Sequence, residues 1–383
     1  MTAARASAAP VLSRRTLNRT LLARQLLLER VRRPALDVVE HLVGMQAQEP
    51  PDPYVGLWAR LDGFEPLALS WAIEERLAVR MGHLRGTLHL VTARDALAQY
   101  PILADVMARS WRSSPFIKQL VGVDMGTLLS RARELLEDRP MTPSELGTAL
   151  SPGWPDRDAP SLAYAARFLL PLVQVPPRGL WGRTGRPANT TAEAWLGAPM
   201  VADPHIDELI VRYLRVFGPA TVADMRIWSW LTGLREVVDR LRPRLRTFRD
   251  ETGRELFDVE DGLIADEDLP APIRFLPQYD NVFLSHDDRS RILVPGLKIE
   301  DLVWKGGILI DGYVSAAWRI RREKKAATMT VTLYVPVTGE QRADLEAEGD
   351  RLLTLLAADA DPRDVRVVAA GSPTRDRSER SIS

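Results

Sequence analysis

The chain has 383 residues, of which 45% are hydrophobic and 27% charged, with 51 basic side chains balanced by 51 acidic ones and no cysteine. That balance suits a globular protein long enough for two to four domains. The lack of cysteine removes thiolate zinc sites, iron–sulfur clusters and cysteine nucleophiles, fits a reducing, cytoplasmic (nucleoid) location, and no apolar run approaches the ~20 residues that span a bilayer.

In chain order, residues 1–10 are small and Ala-rich without an apolar core, which predicts a disordered leader rather than a signal peptide. From Arg5 to Arg33 there are eight arginines and one acid, Glu29. Ser13 caps an expected helix running to about Arg30, with Leu17, Leu21 and Leu28 on one face. Pro34 suits the first turn of a second helix whose apolar stripe is Val38, Val39, Leu42 and Val43. A third helix is expected over Pro66–Leu77, followed by two strand-like runs at Ala78–Met81 and Thr87–Val91. Helices followed by a β-hairpin describe a winged-helix module, here residues 11–115.

The pattern recurs over 116–200. Helices are expected at Met125–Asp138, at Met141–Leu146 with Thr142 as cap and Pro143 in the first turn, and at Ser161–Leu172. A strand–turn–strand should follow at Val173–Trp181, with Pro176, Pro177 and Gly179 at its tip. A third copy, 201–269, has helices at Ile206–Val216, from Thr221 and over Leu234–Leu241, then a wing at Leu245–Val259 turning at Asp250–Gly253. Residues 270–370 are β-rich. Ile308–Arg321 and Thr328–Val335 flank a basic stretch, which predicts a hairpin with a basic tip. A helix at Gln341–Ala357 and a strand at Val365–Ala369 complete a small barrel-like domain, and residues 371–383 read as a disordered tail. The expected class is α+β: three tandem winged helices and a C-terminal β-barrel-like domain.

Gln46 is the most informative polar residue. It lies seven positions after Val39, four after Leu42 and three after Val43, and so continues the buried stripe of its helix. A polar amide buried there must find partners or cost ~1–3 kcal/mol. In a continuing helix, Gln46 and Gln48 would diverge by about 200°. Pro50 and Pro51 follow, however, and a residue before proline avoids the α region. The chain should therefore be extending by Gln48, and in an extended segment residues two apart share a side. Both amides can then face one pocket. The spacing equally allows a structural role, in which Gln46 caps a backbone group and Gln48 is simply exposed.

Several segments in order carry a resemblance: Val43-Gly44-Met45-Gln46-Ala47-Gln48, Arg85-Gly86-Thr87-Leu88-His89, Pro277-Gln278-Tyr279-Asp280-Asn281 with Leu284-Ser285-His286 and Asp288-Arg289, and Asp311-Gly312 with Trp318-Arg319. Together they resemble the AlkZ/YcaQ-type family of bacterial DNA glycosylases over about residues 12 to 335. The resemblance implies three winged helices and a C-terminal β-barrel in a C-shape. It implies an active site of the glutamine–x–glutamine kind at Gln46 and Gln48, which places the chain nearer the antibiotic self-resistance branch. The expected partner is double-stranded DNA carrying alkylated purines, bound by a monomer with no membrane association.

Other positions are read from the residues themselves. Alternation along the first wing strand puts Arg85, Thr87 and His89 on one side, where they line a lesion channel or satisfy buried backbone. Arg319, Arg321, Arg322, Lys324 and Lys325 are the candidate DNA-backbone contacts, with a minor-groove wedge as the other use of that hairpin. Asp280, Asn281, His286 and Arg289 form an expected interface hydrogen-bond network. No metal is expected, because His41, His83 and His205 lack ligand spacing and His-Glu-x-x-His is absent. No cofactor is expected, since neither a Walker loop nor a dinucleotide fingerprint occurs. The competing class is a non-catalytic winged-helix regulator or drug-sequestering protein. It is weakened by the lack of a heptad seam for a dimer.

Overall fold

A computed structural model of the chain describes residues 9–371. The expected leader up to residue 8 and the tail from residue 372 lie outside the described residues. The described residues group into two units. One is the chain up to Leu269 together with Tyr279–Arg289; the other is Pro270–Gln278 together with the chain from Ser290 onward.

In the first unit, β1 (Val11–Leu12) leads into α1 (Arg14–Arg24), where the Ser13 hydroxyl accepts the Thr16 N–H at 3.0 Å. The helix stops at Arg24 and not near Arg30. Leu26 takes a left-handed φ of 58°, while the N–H groups of Leu26 and Leu27 close back on the carbonyls of Ala23 and Leu22. α2 (Ala35–His41) ends in the same way. Val43, at φ 58°, donates to Glu40 and Gly44 donates to Val39. β2 (Met45–Gln46) follows at once. α3 (Asp52–Trp58), which the sequence reading lacks, precedes α4 (Pro66–Glu74), which Arg76 closes at φ 62°.

β3 (Ala78–Gly82) and β4 (Leu88–Thr92) form the expected hairpin. Thr92 then caps α5 (Ala93–Arg112), a long helix also missing from the sequence reading, which buries Ala96, Tyr100, Leu103, Met107 and Trp111 along one face. α6 (Met125–Asp138) forms as expected, and α7 (Pro143–Leu150) starts in a reciprocal Thr142–Glu145 capping box. α8 (Ala159–Leu169) runs into β5 (Leu172–Gln174). The partner of β5 is β6 (Asn189–Thr191), beyond the expected return strand ending at Trp181. The intervening loop is held by other contacts: the Tyr54 hydroxyl donates to the Gly179 carbonyl at 2.8 Å, and the Trp181 N–H donates to Ser70 Oγ at 2.8 Å.

α9 (Ala192–Leu196) and α10 (Ile206–Phe217) are followed by α11 (Val222–Ser229), which starts in a second capping box from Thr221 and Asp224. α12 (Leu234–Leu241) and the strands β7 (Leu245–Asp250) and β8 (Glu255–Val259) match the expected third wing. β1 adds to that wing in parallel with β7. β2, β4, β3, β5 and β6 form one five-stranded sheet in that order, so both earlier hairpins share a single sheet. One core joins buried residues of this sheet, Met81, Val91 and Val173, to α5, α6 and α8 through Tyr100, Met107, Leu128 and Leu162.

The chain next gives β9 (Arg274–Phe275) to the second unit and the short α13 (Asn281–Leu284) to the first. The second unit continues with β10 (Gly306–Ile310), β11 (Tyr313–Glu323), β12 (Ala326–Leu333), α14 (Gly339–Leu356) and β13 (Arg363–Ala369). Its sheet runs β13-β12-β11-β10-β9 and stays open. The barrel expectation is therefore corrected. β9 is only two residues long, and α14 turns Leu345, Leu352 and Leu353 inward, so the apolar face is covered by a helix rather than by closure of the sheet. Asp311 and Gly312, with φ values of 46° and 81°, make the two-residue turn between β10 and β11, which splits the single β-run read over Ile308–Arg321.

Candidate active site

Gln46 sits in a strand, not in the helix whose stripe it continues in sequence. The helix stops at His41, and the left-handed pair Val43–Gly44 turns the chain into β2, where Gln46 pairs with His89 of β4. Gly44 is required here on two counts. Its φ is 92°, and a Cβ there would lie 2.7 Å from Val91 Cγ1 and 3.2 Å from the Leu90 carbonyl oxygen. The Ala47 N–H continues the ladder to the Leu88 carbonyl at 2.8 Å. Extended backbone thus begins before Gln48 is reached, three residues earlier than the prolines alone require. Gln46 is 8% exposed and Ala47 fully buried, whereas Gln48 is exposed.

Arg85 is the side chain that meets Gln46. One of its terminal nitrogens donates to Gln46 Oε1 at 2.9 Å and lies 3.3 Å from His89 Nε2; the other donates to the Trp228 carbonyl of α11 at 2.7 Å. His89 Nδ1–H donates to the Thr87 carbonyl at 3.1 Å, which leaves Nε2 as the acceptor for Arg85. The expected common strand is corrected. Arg85 belongs to a tight 3-10 turn, Leu84–Gly86, with φ 58°, and Thr87 closes that turn by donating its hydroxyl to the Leu84 carbonyl at 3.1 Å. Only His89 lies within β4. Arg85 and His89 nevertheless converge, because the turn folds the first back over the second.

The electrostatics follow from burial. Arg85 is pulled down to about 10, first by desolvation and then by the nearby Arg289 charge, and it remains cationic at neutral pH. Burial holds the His89 imidazole well below its ordinary value, and the charges of Arg85 and His83 add to this. His83, fully buried with its ring 5.7 Å from that of His89, is lowered to about 4, chiefly by desolvation and against the opposing pull of Asp95. A histidine whose folded value lies below its unfolded one stabilises the fold fully above about pH 6.5 and loses that contribution as pH falls towards 4. We expect His83 alone to cost the protein on the order of 2 kcal/mol between pH 7.5 and pH 5. Urea unfolding at the two pH values checks this. His83→Leu should show the smaller pH dependence by that amount, and an unchanged dependence would remove His83 as the cause.

A second arginine, which the sequence reading did not single out, holds the backbone between the two glutamines. Arg80 of β3 is buried and donates to the Ala47 carbonyl at 2.8 Å and to Gln174 Oε1 at 2.5 Å. Desolvation and the charge of Arg178 bring it down to about 10. Its signal in the sequence is a lone basic residue inside an apolar strand run, between Val79 and Met81.

The segment after β9 buttresses the motif from below. Asp280 pairs with Arg60 through both oxygens, at 2.8 and 2.9 Å, with both side chains buried. The Asn281 amide donates to the Gly44 carbonyl at 2.8 Å, directly at the bend before β2. His286 Nε2–H donates to the Phe217 carbonyl at 3.1 Å. Arg289 is half-buried. Asp280, Asn281 and His286 bond partners within the first unit, to which all four residues belong, while Arg289 Nε has no hydrogen-bond partner among the described residues and is not joined to the network.

In the second unit the basic side chains lie along β11 and its turn. Arg319 is half-buried in the strand, Arg321 pairs with Glu323 at 2.8 Å, and Arg322 pairs with Asp359. Lys324 and Lys325 are exposed and form the two-residue tip. The basic tip is therefore shorter than the sequence reading has it, because Glu323 and Asp359 neutralise its flanks. Among the described residues no cluster of three or more His, Asp or Glu side chains is placed to hold a metal ion, and no helix is long and apolar enough to cross a membrane.

A family model described as DNA glycosylase AlkZ-like matches residues 39–355, a stretch that runs from before Gln46 to within the last turn of α14. The chain belongs to the AlkZ-like DNA glycosylase family. As a DNA glycosylase it takes DNA as its substrate. No curated protein matches the glycosylase in sequence. Among solved structures it is similar to the Streptomyces sahachiroi DNA glycosylase AlkZ, with a TM-score of 0.70 and 21% identity over 94% of this chain and 100% of that one. At that identity the likeness speaks for a shared mixed α+β fold.

Proposed function

We propose that this glycosylase hydrolyses the N-glycosidic bond of cationic purines alkylated at nitrogen 7, with Gln46 and Gln48 holding the attacking water. The observation that carries this reading is the chemistry around Gln46. It is buried and anchored, and the side chains that touch it are a guanidinium and, through it, an imidazole kept neutral. None of them is a carboxylate. An amide is no strong base; it can only accept or donate hydrogen bonds and so fix where a water sits. That suffices when the leaving base already carries positive charge, because the bond to the sugar is weakened before the enzyme acts. What remains is to place the water and to stabilise an oxocarbenium-like sugar by preorganised dipoles.

Strand alternation supports the pairing of the two glutamines. From Met45 to Ala47 the chain is extended, and alternation continued to Gln48 would turn both glutamines to the side opposite the buried Ala47. Gln48, exposed and without a side-chain hydrogen bond among the described residues, is left to accept from the water. No lyase step is proposed. The only lysine of the first unit's described residues is Lys118, which is not among the groups that touch Gln46. In this reading the three helix–hairpin sets are winged helices that cradle the duplex as a monomer, and Lys324 and Lys325 reach its backbone or minor groove. Bulky adducts and interstrand crosslinks at nitrogen 7 fall within the same chemistry, as repair or as self-resistance to a DNA-alkylating natural product.

The test is base release from duplexes carrying one N7-methylguanine, compared with duplexes carrying an uncharged lesion such as uracil. Free N7-methylguanine and an intact strand with an abasic site are expected. Equal release of the uncharged base would overturn the cationic-substrate reading, and strand scission without added base would overturn the monofunctional one.

A further inference from the structure

Arg80 and Arg85 share an unusual property. Each is a buried or half-buried guanidinium that makes no ion pair among the described residues, and each gives its terminal N–H groups to neutral acceptors instead, while Arg80 Nε has no hydrogen-bond partner among the described residues. Burying a cation without a carboxylate is costly, and a fold keeps one there only where its hydrogen bonds hold something that matters. Both are directed at one short segment, Gln46–Ala47. Arg80 holds the Ala47 carbonyl, and Arg85 holds Gln46 Oε1. Arg85 does so from a left-handed φ of 58°, which a non-glycine residue adopts at a conformational cost, next to a glycine whose Cβ would lie 2.4 Å from Ser110 Oγ.

We propose that Arg85 is a positioning residue for base release: it fixes the flip of the Gln46 amide, with the oxygen on the guanidinium and the NH2 group turned towards the reacting water, while Arg80 fixes the peptide between the two glutamines. This rests on the reading of Gln46 given above and goes one step beyond it, because it divides the work. One lone pair of Gln46 Oε1 is already used by Arg85, so Gln46 orients the water chiefly as a donor. Gln48 then accepts the water's hydrogen bond, and the proton passes on to solvent as the sugar C1′–O bond forms and the bond to the purine breaks. The planar fork is what the role needs. It reaches Gln46 Oε1, His89 Nε2 and the Trp228 carbonyl together, and a lysine ammonium in its place cannot span all three in plane.

The experiment is a double-mutant cycle on the full-length protein with Arg85→Lys, Gln46→Ala and the pair, read as single-turnover release of N7-methylguanine from a duplex. Affinity for the same duplex is measured alongside. We expect Arg85→Lys to slow release by about tenfold or more with DNA affinity within about twofold of wild type, and to change the rate by less than about twofold once Gln46 is already Ala. Equal fold-losses in the two backgrounds would overturn the proposal. So would a loss confined to DNA affinity, or a faster Arg85→Lys enzyme, which would mean that the adverse charge beside a cationic sugar outweighs the hold on the amide. If Gln46→Ala alone releases base at the wild-type rate, the role of Gln46 itself falls and the positioning role falls with it. Arg85→Gln, which keeps one amide donor at lower desolvation cost, runs the same cycle if the Lys variant melts near the assay temperature.

Discussion

Gln46→Ala and Gln48→Ala are each expected to lower single-turnover release of N7-methylguanine by about 10²–10³-fold, the loss seen when one preorganised hydrogen-bonding group is taken from a charge-developing site. The two should not be additive, since a water held by one amide alone is already misplaced, and groups that act as a unit share one loss. Their structural costs should differ, which separates chemistry from folding. Gln46→Ala strips Arg85 of one of its acceptors and should cost ~1–3 kcal/mol of stability. Gln48→Ala removes an exposed side chain with no hydrogen-bond partner among the described residues and should cost less than about 0.5 kcal/mol. A Gln48→Ala enzyme that is as stable as wild type but 10²-fold slower or worse would be the cleanest support for a catalytic amide. Wild-type rates in both single variants and in the pair would end the assignment.

Much of the fold is legible in the sequence wherever a capping residue announces it. Ser13, Thr142, Thr221 and Thr338 each cap a helix whose start the side chain marks, and the periodicity after them sets the buried face. Helix ends are another matter. α1, α2 and α4 all close through a left-handed residue that is not glycine: Leu26, Val43 and Arg76. With no glycine to mark the stop, an apolar stripe reads on past it, and Gln46 looks helical when it is already in a strand. The pairing proposed for Gln46 and Gln48 then rests on extended backbone that begins at Met45 rather than on the prolines. α5 was legible in the spacing of Ala96, Tyr100, Leu103, Met107 and Trp111, and Asp311-Gly312 is a hairpin signal in its own right. The contacts of Arg80, Arg60 and Asn281 were not legible. Each joins segments distant in the chain, and a lone arginine or asparagine in a sequence does not say which carbonyl it will meet.

Asp280→Ala carries the largest expected effect on stability. Arg60 is fully buried, and its guanidinium is saturated: Nε to the Gln25 carbonyl at 3.0 Å, one terminal nitrogen to Gly56 at 2.9 Å, and both terminal nitrogens to Asp280. As a pair, the two charges need not stabilise the fold more than apolar residues of the same size, since desolvation offsets most of their attraction. Broken, the pair leaves a cation inside the protein with only neutral acceptors, which costs about 3–5 kcal/mol. Against a total of roughly 5–15 kcal/mol for a natural domain, that is a large fraction. A fall in melting temperature on the order of 10 °C is expected. The double variant Arg60→Met, Asp280→Leu should recover much of it, because no unpaired charge is left behind. A single Asp280→Ala variant that melts within about 2 °C of wild type would show the pair to be dispensable. The consequence reaches the site through the next residue. Asp280 caps the turn that presents Asn281, and Asn281 holds the Gly44 carbonyl at the bend into β2. Loss of the pair should therefore slow base release even at temperatures where the variant is fully folded, and the rescued double variant should regain stability more completely than activity, because leucine cannot cap α13 as Asp280 does.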